Sequence, residues 1–110
     1  MARIGLLGGT FDPIHFGHLG MAQELAQALA LDTVKFIPAA VPPLKSQPSA
    51  SAIDRCAMVQ LAIANNPDFQ LDDRELKRTG PSYTLDTLRS LRSELSEQDS
   101  LVLFIGGDAF

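Results

Sequence analysis

At 110 residues and 45% hydrophobic content, the chain is long enough for one domain with a modest core and too short for two. Nine basic residues against thirteen acidic ones, scattered along the chain, leave a formal charge of −4, which argues against a nucleic-acid or membrane surface working by bulk electrostatics. A single cysteine excludes an intrachain disulfide, the apolar run at residues 4–7 is too short for a signal-peptide core, and no stretch approaches the ~20 apolar residues of a membrane span, so the expected compartment is the cytoplasm.

Short buried runs alternate with longer amphipathic ones, the pattern of an α/β domain with parallel strands. The first strand is expected over residues 3–7, followed by a helix over 15–30 that presents Leu19, Ala22, Leu25, Ala26 and Leu29. The second strand covers 33–37. Residues 41–48, with Pro42, Pro43 and Pro48, are too rich in proline for a helix or a central strand and form a loop. A second helix starts at Ser51, with Asp54 as capping-box partner, and its apolar positions are Ile53, Ala57, Leu61 and Ala64. A short strand is expected at 69–72. A third helix begins at Ser82 or Thr84 and carries Leu85, Leu88, Leu91 and Leu95. Residues 101–105 are unbroken apolar sequence, as expected of a strand buried on both faces. Only Gly106-Gly107-Asp108-Ala109-Phe110 follow, so the sequence reads as incomplete, truncated after the fourth strand. Arg55, Arg74, Arg89 and Arg92 read as solvated helix or loop charges.

The most informative stretch is Gly8-Gly9-Thr10-Phe11-Asp12-Pro13-Ile14-His15-Phe16-Gly17-His18, where the first strand hands over to the first helix. Amides at a helix N-terminus lack intrahelical partners and lie at the positive end of the dipole, and glycines let the backbone approach a phosphate closely. Histidines three positions apart share a helical face, so both imidazoles can meet one phosphate chain. Plainer readings are a tight turn at the glycines and a capped, solvated pair of histidines. A zinc site lacks companions, since Cys56 is the only cysteine. No G-x-G-x-x-G or G-x-x-x-x-G-K-[ST] occurs, and the second strand ends in Phe36-Ile37-Pro38 without an acidic residue for a ribose.

This stretch resembles the signature of the nucleotidyltransferase superfamily, whose His-x-Gly-His motif binds ATP phosphates. Two further segments resemble one family within it, the nicotinate-nucleotide adenylyltransferases. Arg78-Thr79-Gly80-Pro81-Ser82-Tyr83-Thr84 is similar to the segment that lines their mononucleotide pocket, and Gly106-Gly107-Asp108 to their Ile-Gly-x-Asp element facing the nucleotide. Pro42-Pro43-Leu44-Lys45 resembles their Pro-Pro-His-[Lys/Arg] segment, with Leu44 standing where the family has histidine, so Lys45 alone is carried over.

The resemblance implies an α/β, Rossmann-like doubly wound parallel sheet of strand order 3-2-1-4, with residues 1–110 forming the N-terminal portion of a single nucleotidyltransferase-like domain. In such a sheet the ligand lies where the strand order reverses, between strands one and four, outside their carboxyl ends. The implied reaction moves the adenylyl group of ATP to nicotinate mononucleotide, giving deamido-NAD and pyrophosphate, with Mg²⁺ carried on ATP. His15 and His18 are the expected catalytic residues. Gly8, Gly9, Thr10, Phe11, His15, His18, Lys45, Gly106 and Asp108 are expected on ATP and its phosphates, Ser82, Tyr83 and Thr84 on the mononucleotide. No residue is assigned to a metal. The alternatives are a sister enzyme with another acceptor, such as phosphopantetheine, and a non-catalytic nucleotide-binding fragment. The latter is supported by the absence of the family's late Ser-Ser/Ala-Thr-x-Ile-Arg motif.

Overall fold

The computed structural model describes residues 2–9, 11, 14–39, 51–77 and 84–105, the side chains of Thr84, Leu85 and Ile105 excepted. Within them the chain runs β1 (Arg3–Gly9), α1 (Phe16–Ala28), β2 (Thr33–Pro38), α2 (Ala52–Ile63), β3 (Phe69–Leu71), a 3-10 turn at Arg74–Lys77, α3 (Thr84–Glu94) and β4 (Ser100–Ile105). The four strands are parallel in the order β3-β2-β1-β4, the order expected. β1 runs two residues beyond the expected strand, so both glycines pair within the sheet, Gly8 with Ile37 and Ile105 and Gly9 with Pro38. The 3-10 turn was not expected, and α3 starts at Thr84. The proline-rich loop at 41–48 lies outside the described residues.

Side chains alternate across the strands, and each face of the sheet has its own core. Leu7, Val34, Phe36 and Phe69 pack with Ala22 of α1 and with Val59 and Ile63 of α2, while Ile4, Leu6 and Ile37 pack with Leu91 of α3. Helices therefore cover both faces, as a doubly wound sheet requires. Gly5 makes room for Leu31 of the α1–β2 connection and for Phe104 of β4 on the first face, for a Cβ there would lie 2.7 Å from Leu31 Cδ1 and 3.0 Å from the Phe104 ring. β4 departs from the expectation of a strand buried on both faces. It pairs with β1 on one side, is an edge among the described residues, and leaves Leu103 37% exposed.

The helix ends follow their caps. Ser51 Oγ accepts from the Asp54 N–H at 3.1 Å, the expected start of α2. α1 closes with the Leu31 N–H on the Ala26 carbonyl at 2.9 Å and the Ala30 N–H on Gln27 at 3.4 Å, with Ala30 at φ 52, where a glycine is usual.

The buried face of α2 is not the one its apolar spacing suggested. Ile53 and Leu61 are 82% and 79% exposed, Ala57 and Ala64 are exposed too, and the helix buries Arg55, Val59 and Ile63 instead. Both sets recur at helical spacing, and tertiary packing chose the one that carries a charge. Among the described residues no helix is long and apolar enough to cross a membrane.

Candidate functional site

His15 and His18 form the N-terminal cap of α1. His15 is the N-cap residue, in extended backbone, and its Nδ1 accepts from the Gly17 N–H at 3.0 Å. His18 Nδ1 accepts from the His15 N–H, also at 3.0 Å, so two imidazoles perform the reciprocal capping usually made by a hydroxyl and a carboxylate. An Nδ1 that accepts a backbone N–H carries no proton. The caps therefore place each ring's proton on Nε2, which makes that atom a donor. The ring centroids lie 3.8 Å apart. The first turn of α1 contains no acidic side chain, so nothing in that turn offsets the positive end of its dipole.

The spacing of the motif follows from this cap. A Cβ on Gly17 would sit 2.8 Å from His15 Cε1 and 2.9 Å from Nδ1, so only glycine lets the ring fold back over the turn. The plainer reading of a capped, solvated pair holds for the caps but not for the solvation of His18. His18 is 7% exposed, with its ring edge-on to Phe11 at 5.1 Å. Phe11 itself is 1% exposed and holds φ 52, a left-handed conformation uncommon for a residue with a Cβ. Its ring also lies 6.0 Å from that of Phe36, which locks the turn between β1 and α1 to the core.

Two arginines taken for solvated charges are structural. Arg55 is 2% exposed and donates from Nη1 to the Ala39 carbonyl at 2.6 Å, while the Ala39 N–H donates to the Gly9 carbonyl at 2.8 Å. Arg74 donates from Nε and Nη2 to the two Asp72 oxygens, both at 2.8 Å, from Nη1 to Ser90 Oγ at 2.9 Å, and to the Glu94 oxygens at 3.0 and 3.1 Å. Burial pushes the Asp72 carboxyl up, but the Arg74 hydrogen bonds and the charges of Arg74 and Lys35 hold it below the usual carboxylate range. Thr87 Oγ1 donates to Glu75 at 2.6 Å, a second link from the 3-10 turn to α3. Arg89 and Arg92 are exposed as expected, Arg92 donating to the carbonyls of Asp99 and Ser96. The contacts of Arg55 with Ala39, of Arg74 with Ser90 and Glu94, and of Thr87 with Glu75 span 12 to 20 positions and carry no local sequence signal, whereas Arg74–Asp72 and Arg92–Ser96 are local.

The family model described as cytidylyltransferase-like matches residues 6–110. The chain belongs to that family. Among curated proteins it is 54% identical over 108 residues to a probable nicotinate-nucleotide adenylyltransferase of Pseudomonas fluorescens, covering 98% of this chain and 50% of that protein. A protein of the same description from Pseudomonas syringae pv. tomato is 56% identical over 108 residues, covering 98% and 49%, and one from Chromohalobacter salexigens 52% over 109 residues, covering 99% and 50%. The chain spans about half the length of these curated relatives. Among solved structures, Plasmodium falciparum nicotinic acid mononucleotide adenylyltransferase complexed with NaAD superposes with a TM-score of 0.80 at 21% identity, over 98% of this chain and 53% of that one. That likeness is one of fold.

In this cytidylyltransferase-like chain the structure brings together Gly8, Gly9, Phe11, His15 and His18 at the carboxyl end of β1, beside the point where strand order reverses. The Phe11 ring is committed to the core, so only its backbone is left to meet a ligand. Thr84 is the first residue of α3. Thr10, Lys45, Ser82, Tyr83, Gly106 and Asp108 lie outside the described residues, as does the Thr84 side chain.

Proposed function

We propose that the chain serves adenylyl transfer from ATP to nicotinate mononucleotide, giving deamido-NAD and pyrophosphate, with residues 1–110 as one nucleotidyltransferase-like domain in the cytoplasm. The observation that carries this reading is the imidazole cap of α1. It sets two imidazoles, each with Nδ1 bound to a backbone N–H, at a helix N-terminus that has no acidic residue in its first turn, in the segment that follows a glycine pair. A contrast between glycines supports it. Gly5 is required by packing, whereas a Cβ on Gly8 would meet nothing closer than the Ile37 carbonyl at 3.9 Å among the described residues. Space kept open at the end of β1 suits a phosphate laid against backbone amides. The likeness to probable nicotinate-nucleotide adenylyltransferases, at 51–56% identity, supports nicotinate mononucleotide as the acceptor.

In this reading the mononucleotide phosphate oxygen attacks the α-phosphorus of ATP in line. The new P–O bond forms as the bond to the β-phosphate bridging oxygen breaks, and pyrophosphate leaves with that electron pair. Amides from Gly9 to Phe11 hold the phosphates, His15 and His18 donate to them through Nε2, and Lys45 offsets charge, so catalysis is positioning plus stabilisation of developing charge. The same reading assigns Gly106 and Asp108 to ATP and Ser82, Tyr83 and Thr84 to the mononucleotide, as the resemblance implies. The resemblance implies Mg²⁺ on ATP. Among the described residues no three His, Cys, Asp or Glu side chains gather as a metal site, and imidazoles that donate from Nε2 do not ligate, so no residue here is assigned to it.

We expect residues 1–110 alone to be inactive, so the test is an acceptor screen with ATP on an intact enzyme that contains this chain, reading pyrophosphate release for nicotinate mononucleotide, nicotinamide mononucleotide and phosphopantetheine. Release with nicotinate mononucleotide and formation of deamido-NAD is expected. Turnover with phosphopantetheine instead overturns the assignment of the acceptor, and ATP binding without turnover on any acceptor supports the non-catalytic alternative.

A further inference from the structure

Helix α2 buries Arg55 while Ile53 and Leu61, on its other apolar stripe, remain 82% and 79% exposed. By hydrophobic accounting alone the opposite rotation is favoured, since a buried guanidinium loses its hydration and needs partners to offset that loss. What the arginine reaches explains the choice. Its Nη1 donates at 2.6 Å to the carbonyl of Ala39, the residue where β2 leaves the sheet, and the N–H of the same residue donates at 2.8 Å to the carbonyl of Gly9. Ala39 is thus held on both sides, by a charge-assisted bond from α2 and by the second glycine of the site. Gly9 pairs with Pro38 across the same sheet edge, and a Cβ on it would lie 3.5 Å from the Phe11 ring, which in turn meets His18. We propose that Arg55 is a positioning residue for the phosphate site, fixing through Ala39 the backbone of Gly9.

The proposal rests on reading the β1–α1 junction as a phosphate site, and the experiment separates the two. Inorganic tripolyphosphate is titrated into the wild-type chain, then into Arg55→Met and Arg55→Lys, and amide hydrogen exchange is followed at Ala39, with Leu6 and Val34 as reporters of the central sheet. In Arg55→Met the expected result is exchange at Ala39 about tenfold faster or more, Leu6 and Val34 unchanged, and tripolyphosphate affinity about tenfold weaker, the loss typical of one hydrogen bond from a charged donor. Should the Met variant lose protection at Leu6 and Val34, Arg55→Lys, which keeps the charge but not the fork, is read by the same criteria. Unchanged exchange at Ala39 overturns the proposal, as does faster exchange there with unchanged affinity, which makes Arg55 a strut without bearing on the site. Weaker binding with Ala39 undisturbed also overturns it, in favour of direct contact with the anion. No binding by the wild type overturns the phosphate-site reading itself, before any variant is compared.

Discussion

The β1–α1 junction and the arginine-held contacts of α2 and α3 are built by opposite means. At the junction, His15, Gly17 and His18 satisfy one another within a single helical turn: one ring caps Gly17, the other caps His15, and the missing Cβ of Gly17 makes room. In the second region Arg55 reaches 16 positions back to Ala39, and Arg74 reaches 16 and 20 positions on to Ser90 and Glu94. A local device can be read from spacing because its partners are fixed by helical geometry. A long-range one forms only after the sheet has placed its partners. On the proposed function, the chemistry of this chain lies in the local device and its placement in the distant one.

The largest expected effect tests whether the junction does chemistry beyond capping. Replacing His18 with Ala removes both the cap acceptor and the Nε2 donor, whereas His18→Asn keeps an acceptor near the Nδ1 position and removes only the donor. In an intact enzyme that contains this chain, adenylyl transfer, measured by pyrophosphate release, is expected to fall about a hundredfold in both variants, the scale of losing one donor to a developing charge, ~3 kcal/mol. Only the Ala variant is expected to lose the cap as well, about 1 kcal/mol in a denaturant melt. Full turnover in His18→Asn would leave the imidazole as a cap and nothing more.

Next in size is the Arg74 cluster. Because its folded pKa is depressed, Asp72 contributes stability above the ordinary carboxyl value of about 4, and that contribution is lost as pH falls through the folded value below it. Asp72→Asn is expected to cost about 2 kcal/mol at neutral pH, the scale of hydrogen bonds to a charged group. The gap between variant and wild type should close on acidification from about pH 5 to about pH 2. Asp99, also held low by hydrogen bonds, makes them outside this cluster and cancels from the difference, whereas Glu94 shares Arg74 with Asp72, so the difference reads the Arg74 cluster as a unit. Urea melts across that range give the answer, and a gap that widens in acid would contradict the sign.

How much was legible follows the same division. The parallel α/β pattern, the Ser51 cap of α2, a third helix starting at Ser82 or Thr84 and the glycine–histidine motif follow from local signals: alternating apolar runs, caps, and a motif whose residues touch one another. The strand order came only with the family resemblance. The buried face of α2 did not, because Ile53, Ala57 and Leu61 repeat as regularly as Arg55, Val59 and Ile63, and no window of sequence says which set meets β2. The Arg74 partners were hidden for another reason, since Asp72-x-Arg74 is an ordinary loop pattern until Glu94 arrives from α3. At His18 the motif was read but not its burial, which depends on Phe11 folding back at φ 52.

Gly17→Ala sharpens the local side of the comparison through its sign. Within a helix this change ordinarily stabilises by about 1 kcal/mol. Here the added Cβ displaces the His15 ring and its cap, worth about the same, so stability is expected to stay near that of the wild type while tripolyphosphate affinity falls about tenfold. A thermal melt and a titration decide it. A clear gain in stability with affinity intact would mean that the ring is not held as the structure has it.

The smallest effect separates strain that serves the site from strain that does not. Phe11 and Ala30 both hold φ 52. Phe11 sits in the turn between β1 and α1 with its ring buried against His18 and Phe36, so its conformation is sustained by contacts that a glycine would forfeit. Ala30 is exposed, and its left-handed backbone only completes the hydrogen bonds that end α1. A methyl group there packs against little and adds the steric penalty of that region. Ala30→Gly is therefore expected to stabilise the chain by about 0.5–1 kcal/mol, the left-handed penalty less the added freedom of glycine in the unfolded state. In a domain of this size that raises the melting temperature by a few degrees, roughly 4–8 °C for each kcal/mol. Tripolyphosphate affinity should not change, because α1 would be altered at its far end from the histidine cap. A gain in stability accompanied by weaker binding would show that the two ends of α1 are coupled, and that strain at Ala30 reaches the site after all.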